Sequence, residues 1–216
     1  NPSDFTISYH LNLSDAQNDL NPISSANAFI NTLNPQTIYA RMEDVITPTV
    51  FGITDFQLIV TPLPTITGIS SVCIGKQTQL IGSASAASSN AWISSDTAVA
   101  TINAMGLVTG ISAGTTMIAY TTSNGCMKTQ NLIVDALPTI SGTLSVCLGL
   151  QTQLIGSTPA ATANAWVSTD TAIATVDGAG LVTGISSGTA AIIYTNSNGC
   201  TVTANMIVNI LPVKTA

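Results

Sequence analysis

Residues 63–83 read LPTITGISSVCIGKQTQLIGS, and the same pattern returns at residues 137–157 as LPTISGTLSVCLGLQTQLIGS. A second matching pair follows, with NAWISSDTAVATINAMGLVTGIS at residues 90–112 and NAWVSTDTAIATVDGAGLVTGIS at residues 164–186. The match runs without a gap at a spacing of 74 residues, and about two-thirds of the aligned pairs are identical. Repetition at a fixed spacing indicates tandem copies of one structural unit.

The duplication divides the chain into four predicted parts. The first repeat covers residues 63–136 and the second repeat covers residues 137–210. Residues 1–62, the N-terminal segment, do not match the repeats and are predicted to be a β-sandwich of a different type that lacks its first strands. A Leu-Pro pair like the one that opens both copies begins residues 211–216, which are predicted to start a further repeat.

Short runs rich in β-branched residues fill each repeat and predict an all-β fold. In the first repeat they lie at residues 77–81, 91–94, 99–102, 107–109, 115–122 and 127–134, and in the N-terminal segment at 5–11, 37–43 and 56–60. Gly, Asn, Asp and Ser separate them, and Ser123-Asn124-Gly125 is a hairpin signal. About seven short strands in roughly 74 residues is typical of immunoglobulin domains. We predict tandem immunoglobulin-like β-sandwich domains in an end-to-end array.

The aromatic residues of the repeats allow two interpretations. Trp92, Trp166, Tyr120 and Tyr194 lie within the predicted strands. They fill the core between two sheets, or they form a platform on which a sugar stacks. We favour the core, because two Trp in 216 residues are few for a carbohydrate site.

The charge composition excludes two classes of partner. The chain has four Lys plus Arg against ten Asp plus Glu, for a formal net charge of -6. So few cations cannot follow a phosphate backbone or an anionic lipid surface, which argues against nucleic-acid binding and polybasic membrane docking. Polar residues also interrupt every apolar run well before the roughly 20 residues that a membrane helix needs, so we predict no membrane insertion.

Catalytic and metal sites find little support. His10 is the one histidine, and its alternating surroundings favour a packing or surface role. The repeats offer no equivalent pair of carboxylates for a glycosidase, so we predict that the chain is not an enzyme. Calcium is the most reasonable metal to consider, because it binds carboxylate oxygens. The acidic residues are densest at Asp15, Asp19, Glu43 and Asp44. Their spacing fits no known calcium-binding loop, so we expect no cofactor.

Four cysteines occupy equivalent positions in the two repeats, Cys73 with Cys147 and Cys126 with Cys200. With no metal-ligating neighbours they indicate disulfides in an oxidising compartment. We favour the bonds Cys73–Cys126 and Cys147–Cys200, because each pair belongs to one repeat. Closing a loop of about 54 residues stabilises by roughly 4 kcal/mol. The rival pairing is Cys73 with Cys200 across the junction, since Cys73 and Cys126 are expected at opposite ends of their domain.

The string W-x-S-x-D-T-A-x-A-T-x-x-x-x-G-L-V-T-G-I-S-x-G-T resembles the bacterial Ig-like group 2 domains of surface adhesins. Its V-C-x-G opening and N-G-C closing are similar to repeats of very large secreted Bacteroidetes proteins, among them gliding-motility adhesins. The N-terminal segment, with ISYHLNLSDAQNDLNPI and NPQTIYARMEDV, is similar to a second repeat type of the same proteins. That type carries a Cys near the position of Thr49 or Val50, which is absent here.

The resemblance implies a structural stalk of a giant adhesin, used for gliding motility or surface attachment. Such a protein is exported by the type IX secretion system and displayed on the outer face of a Gram-negative outer membrane. Its partners are the neighbouring repeats, the secretion and gliding machinery, and an external surface or polysaccharide. The alternative is a set of accessory Ig-like or carbohydrate-binding modules of a secreted polysaccharide-degrading enzyme.

Asp-Thr-Ala occurs at the same place in both repeats, as Asp96-Thr97-Ala98 and Asp170-Thr171-Ala172. The simpler interpretation is that each Asp caps a turn through its side chain. The sequence also resembles the O-glycosylation pattern of exported Bacteroidetes proteins, with Thr97 and Thr171 as the acceptors.

Overall fold

The computed structural model describes residues 4–157 and 159–211. They divide after Pro62 into two compact units, and the second unit holds both repeats. The predicted start of a further repeat at residues 211–216 lies, apart from Leu211, outside the described residues. None of the helices in the described ranges combines the length and hydropathy needed to cross a bilayer.

The N-terminal unit is one antiparallel sheet with two short helices. Its elements in chain order are β1 (Phe5–His10), α1 (Leu13–Asn18), a 3-10 helix (Ala26–Ala28), β2 (Gln36–Asp44) and β3 (Phe51–Leu58). The strands have the order β1-β2-β3, and α1 contacts β1 and β2. This arrangement differs from the predicted β-sandwich, because within residues 4–62 a helix takes the place of a second sheet.

A buried arginine joins this helix to the sheet. Arg41 on β2 donates from Nε to Glu43 Oε2 at 2.9 Å and from Nη1 to the carbonyl oxygen of Ala16 at 3.0 Å. Its guanidinium also lies 3.6 Å from the centre of the Phe51 ring. A cation at the carbonyl end of a helix complements the helix dipole, and the ring face favours the same charge. Arg41 therefore holds α1 through its hydrogen bond to the helix and packs on β3 through the Phe51 ring.

Among the residues that the structure describes, each repeat has eight strands. The first repeat has β4 (Ile66–Gly68), β5 (Ser71–Cys73), β6 (Gln77–Gly82), β7 (Trp92–Ser94), β8 (Ala100–Ile102), β9 (Leu107–Gly110), β10 (Gly114–Thr121) and β11 (Met127–Asp135). The second repeat has β12 (Ile140–Gly142), β13 (Ser145–Cys147), β14 (Gln151–Gly156), β15 (Trp166–Ser168), β16 (Ala174–Val176), β17 (Leu181–Gly184), β18 (Gly188–Thr195) and β19 (Thr201–Asn209).

The strands of each repeat form two four-stranded sheets. In the first repeat the sheet orders are β4-β6-β9-β8 and β5-β11-β10-β7, and the second repeat has the equivalent orders β12-β14-β17-β16 and β13-β19-β18-β15. All pairings are antiparallel except that β5 lies parallel to β11 and β13 lies parallel to β19. The predicted all-β class with tandem immunoglobulin-like sandwiches is confirmed.

The two repeats have separate hydrophobic cores. Trp92 and Tyr120 pack with their ring centres 4.5 Å apart in the first core, and Trp166 and Tyr194 do the same in the second. The two Trp side chains are 9% and 8% exposed and both Tyr are 2% exposed. Rings enclosed to this degree present no free face on which a sugar could stack.

One glycine in each repeat leaves room for the core tyrosine. At Gly156, the end of β14, a Cβ atom would overlap the ring of Tyr194, and Gly82 stands in the same relation to Tyr120. A side chain at this position therefore has to displace an aromatic ring that the rest of the core holds.

We expect Gly156→Ala to lower the free energy of unfolding of the second repeat by about 1–3 kcal/mol, because the added methyl group overpacks the core. Gly178→Ala is the matched control, since a Cβ there meets no atom within 4 Å. Hydrogen exchange of the β18 amides reports the stability of this repeat. Equal protection in the two variants would contradict the packing argument.

Candidate functional site

The junction between the repeats is built around Cys73. The short strand β5 ends at this residue and pairs with β11 in parallel, which places Cys73 beside Asp135 at the end of β11. The amide of Ile74 then donates to the carbonyl oxygen of Asp135 at 3.1 Å. Because the chain passes from β11 directly into the second repeat, Cys73 lies at the end of the first repeat that faces the junction.

Cys126 occupies the other end of the same sheet. Cys126 directly precedes β11, and Cys73 pairs with Asp135, the last of the nine residues of that strand. At about 3.3 Å per residue the strand spans roughly 30 Å, whereas a disulfide needs Cα atoms within about 7 Å. The predicted bonds Cys73–Cys126 and Cys147–Cys200 are therefore wrong, since the second repeat has the same geometry.

The structure instead forms the rival bond across the junction. Cys73 and Cys200 are joined with an S–S distance of 2.03 Å and a Cα–Cα distance of 5.6 Å, over a sequence separation of 127. A hydrogen bond accompanies it, because Asn198 Nδ2 donates to Asp135 Oδ1 at 2.7 Å. Cys126 and Cys147 remain free thiols. The bond therefore links two domains rather than closing one.

The hairpin that carries Cys200 is ordered by its own residues. Asn196 Oδ1 accepts from the amide of Asn198 at 3.1 Å and from the amide of Cys200 at 2.9 Å. The Gly199 amide donates to the Asn196 carbonyl oxygen at 3.0 Å, and Gly199 has a φ of 79°. These contacts fix the turn, which we call the N-G-C hairpin, and hold the sulfur toward the first repeat.

The acids considered for calcium have structural partners. Asp15 Oδ2 accepts from Asn12 Nδ2 at 2.9 Å at the start of α1, and Glu43 pairs with Arg41. Asp44 Oδ1 accepts from the amides of Ile46 and Thr47 at 2.9 and 2.7 Å. Asp19 Oδ1 lies 3.7 Å from the ring of His10. Within residues 4–157 and 159–211, no group of three or more His, Cys, Asp or Glu could hold a metal ion.

His10 is fully buried, and its Nε2 lies 2.9 Å from the hydroxyl oxygen of Ser8. Its Nδ1 lies 2.8 Å from the carbonyl oxygen of Leu20, which can only accept, so Nδ1 carries the proton. A Ser-His-Asp triad needs a carboxylate at the nitrogen that points away from the serine. The carbonyl oxygen of Leu20 takes that place. The hydrogen bond from His10 to Leu20 therefore ties β1 to the loop after α1.

The Asp-Thr-Ala turns are alike in both repeats. Asp96 Oδ1 accepts from the amide of Ala98 at 2.9 Å, and Asp170 Oδ1 accepts from the amide of Ala172 at 3.0 Å. Each Asp thus makes the capping contact that the simpler interpretation requires. Thr97 and Thr171 are both exposed.

We expect Cys200→Ser to destabilise both repeats and not only the one that carries it. With the bond intact, either repeat that unfolds alone is a closed loop of roughly 60 residues, which raises its stability by about 4 kcal/mol in the chain-entropy model. Hydrogen exchange of the β10 and β18 amides should therefore show losses approaching this value in both repeats.

The matched control is the double variant Cys126→Ser with Cys147→Ser, which removes the two free thiols and keeps the bond. Its exchange rates should equal those of the unmodified chain. A loss of protection in Cys200→Ser that is confined to the second repeat would contradict a bond between the repeats.

Comparisons with known proteins agree with the predicted repeat types. The family described as "Bacterial Ig-like domain (group 2)" matches residues 65–132 and 139–205. The family described as "Flavobacterium inter-domain disulphide bond domain" matches residues 1–64. None of the curated proteins matches the sequence.

Solved structures with similar folds include a fragment of the S-layer protein SbsC, at 15% identity and a TM-score of 0.34 over 96% of this chain and 35% of that chain. Invasin, described as a bacterial integrin-binding protein, has 13% identity and a TM-score of 0.43 over 82% of this chain and 46% of that chain. Drosophila N-cadherin EC1-4 has 11% identity and a TM-score of 0.31 over 97% and 67%. The chain thus spans about a third of the S-layer structure and under half of invasin.

Proposed function

Because the chain belongs to the bacterial Ig-like domain (group 2) family, we propose that it is a tension-bearing stalk segment of a large cell-surface adhesin. The observation that carries the proposal is the bond between Cys73 and Cys200. It joins two sandwiches that each have a complete core, so neither repeat requires it to fill its interior. A covalent link between complete domains joins neighbouring members of an array, in addition to the stability that it gives each domain.

The position of the bond limits how far the chain extends under force. Tension that reaches Cys73 along the backbone passes through the two sulfur atoms to Cys200 and then continues along β19. The backbone between them, over a sequence separation of 127, is removed from the path of the force. At about 3.3 Å per residue this withholds about 400 Å of contour, even when the sandwiches unfold. A stalk built this way keeps its length under load.

The site of action follows from the same bond. Disulfides persist in oxidising compartments, which favours export and display outside the cell. The resemblance of the repeats to those of gliding-motility adhesins extends the proposal to the type IX secretion system, the outer face of a Gram-negative outer membrane and attachment to an external surface or polysaccharide. In that setting the stalk transmits force between the cell and the surface.

The alternative role, as accessory modules of a polysaccharide-degrading enzyme, has less support. Sugar-binding modules present aromatic faces to solvent, whereas the Trp and Tyr of the repeats are enclosed in the two cores. The bond across the junction also has no evident use in sugar binding. We therefore keep the stalk as the proposed function.

Single-molecule pulling from both ends of the chain tests the proposal. The oxidised protein should show no release of the roughly 400 Å that lies behind the bond, and a reducing agent should make this length appear. The double variant Cys126→Ser with Cys147→Ser serves as the background, since it excludes contributions from the free thiols. Full extension of the oxidised protein at the forces that unfold the sandwiches would contradict a tension-bearing role.

Thr97 and Thr171 are proposed as O-glycosylation sites in the same setting. Both are exposed, and each lies in a turn that the neighbouring Asp caps with a hydrogen bond. An enzyme that adds sugar therefore has access to the hydroxyl group. Attached sugar would hydrate the surface of a chain in which only 6% of all residues are charged. Intact mass of the protein purified from its native source should exceed the sequence mass by hexose-type increments that Thr97→Val with Thr171→Val removes. An unchanged mass would contradict the proposal.

A further inference from the structure

The end of the second repeat has the same backbone arrangement around its cysteine as the end of the first repeat, which receives the N-G-C hairpin. Cys147 ends β13, which pairs in parallel with β19 and places it beside Asn209. The Leu148 amide donates to the Asn209 carbonyl oxygen at 2.8 Å, as Ile74 does to Asp135 at 3.1 Å. We call this arrangement of cysteine and neighbouring Asp or Asn the socket. The chain therefore contains two sockets.

The first socket shows what such a site binds. It holds the N-G-C hairpin of the following repeat through the bond of Cys73 to Cys200 and through the hydrogen bond of Asn198 to Asp135. The hairpin is affected in turn, because Cys200 is fully buried, whereas its counterpart Cys126 is only partly buried. The two hairpins share a backbone bond, since the Gly125 and Gly199 amides donate to the Thr122 and Asn196 carbonyl oxygens at 2.9 and 3.0 Å. The hairpin with the buried cysteine is the one that is docked in a socket.

The second socket is open. A groove of about 320 Å³ lies next to Cys147. Its lining residues are polar, among them Ser145, Thr152 and Asn209, and apolar, with Val146 and Leu150. The Cys147 thiol is free and only partly buried. Asn209 keeps a side-chain oxygen in the place of the Asp135 carboxylate, so it can accept the same hydrogen bond from an asparagine amide.

We propose that the socket at Cys147 and Asn209 binds the N-G-C hairpin of a following repeat of the same kind and forms a disulfide with its cysteine. The same shift of 74 residues that turns Cys73 into Cys147 turns Cys126 into Cys200. Applied to the observed bond, the shift places the partner of Cys147 in the hairpin of the next repeat. Leu211 agrees with this, because it occupies the position at which both earlier repeats begin.

The bond forms by thiol-disulfide exchange with a small-molecule disulfide such as oxidised glutathione. One cysteine thiolate attacks a sulfur of glutathione disulfide and releases one glutathione thiolate. The second cysteine thiolate then attacks the protein sulfur of the mixed disulfide, which forms the protein S–S bond and releases the other glutathione. The two protons of the protein thiols end on the two glutathione molecules, so one glutathione disulfide is reduced for each bond formed.

The consequence rests on the proposed stalk function and extends it. In an array joined by these bonds, the force passes through one disulfide to a hairpin cysteine. It then follows the backbone to the socket cysteine of the next repeat, where it enters the next disulfide. Two repeats contain 148 residues and one bond spans 127 of them, which leaves 21 residues of backbone that extend under force. The extensible length for each pair of repeats therefore falls about sevenfold, and every junction is crossed by a covalent bond.

The test adds a copy of residues 137–210 directly after Ile210, followed by the native residues 211–216. The protein is oxidised in glutathione buffer, alkylated and mapped without reduction. We expect a peptide that joins Cys147 to the hairpin cysteine of the copy, and an unchanged bond between Cys73 and Cys200. The count of free thiols should remain two although the number of cysteines rises from four to six.

Two variants of the extended chain are the controls. Cys147→Ser should leave the hairpin cysteine of the copy open to alkylation, and Asn209→Asp, which gives the second socket the carboxylate that the first has at Asp135, should preserve the bond. Alkylation of Cys147 in both the extended chain and Asn209→Asp would overturn the proposal. So would a bond within the copied repeat, or a dimer in which Cys147 joins Cys126 of a second molecule. None of these results would affect the pulling experiment, which depends only on the bond already present.

Discussion

The disulfide between Cys73 and Cys200 is the constraint on which the arrangement of the two repeats depends. Each sandwich is complete in its strands and its core, so the contacts inside a repeat do not determine how it stands to its neighbour. The bond does so, since a disulfide fixes two Cα atoms within about 7 Å. The hydrogen bond from Asn198 to Asp135 adds a second point of contact at the same junction. The joint is therefore specific as well as covalent.

Much of the fold could be predicted from the sequence, because the strands of the repeats are marked by local signals. The expected run at residues 107–109 became β9 with one more residue, and the run at 127–134 became β11 with one more. The strands β4 and β5 were missed, because Pro64, Gly68 and two serines interrupt the β-branched residues of this stretch. The helix α1 was missed as a defined element, because its stability comes from Arg41 and the Asn12 cap rather than from an apolar stripe.

The disulfide pairing could not be derived from the same local signals. The equivalent cysteines of each repeat favoured a bond within the repeat over the expected separation of Cys73 and Cys126, and the structure places these two at opposite ends of one sheet. The parallel pairing of β5 with β11 creates this separation, and β5 was one of the strands that left no pattern. The sequence did indicate the bond between repeats. One cysteine lies near the start of each repeat and the other near its end, so in a sandwich of this length they are expected at opposite ends, each next to a different neighbouring repeat.

The central claim is that oxidised sulfur joins one repeat to the next. Peptide mapping of the 216-residue chain without reduction tests it most directly. The account predicts a crosslinked peptide that contains Cys73 and Cys200, with Cys126 and Cys147 recovered as alkylated thiols. A map in which Cys73 is joined to Cys126, and Cys147 to Cys200, would contradict it.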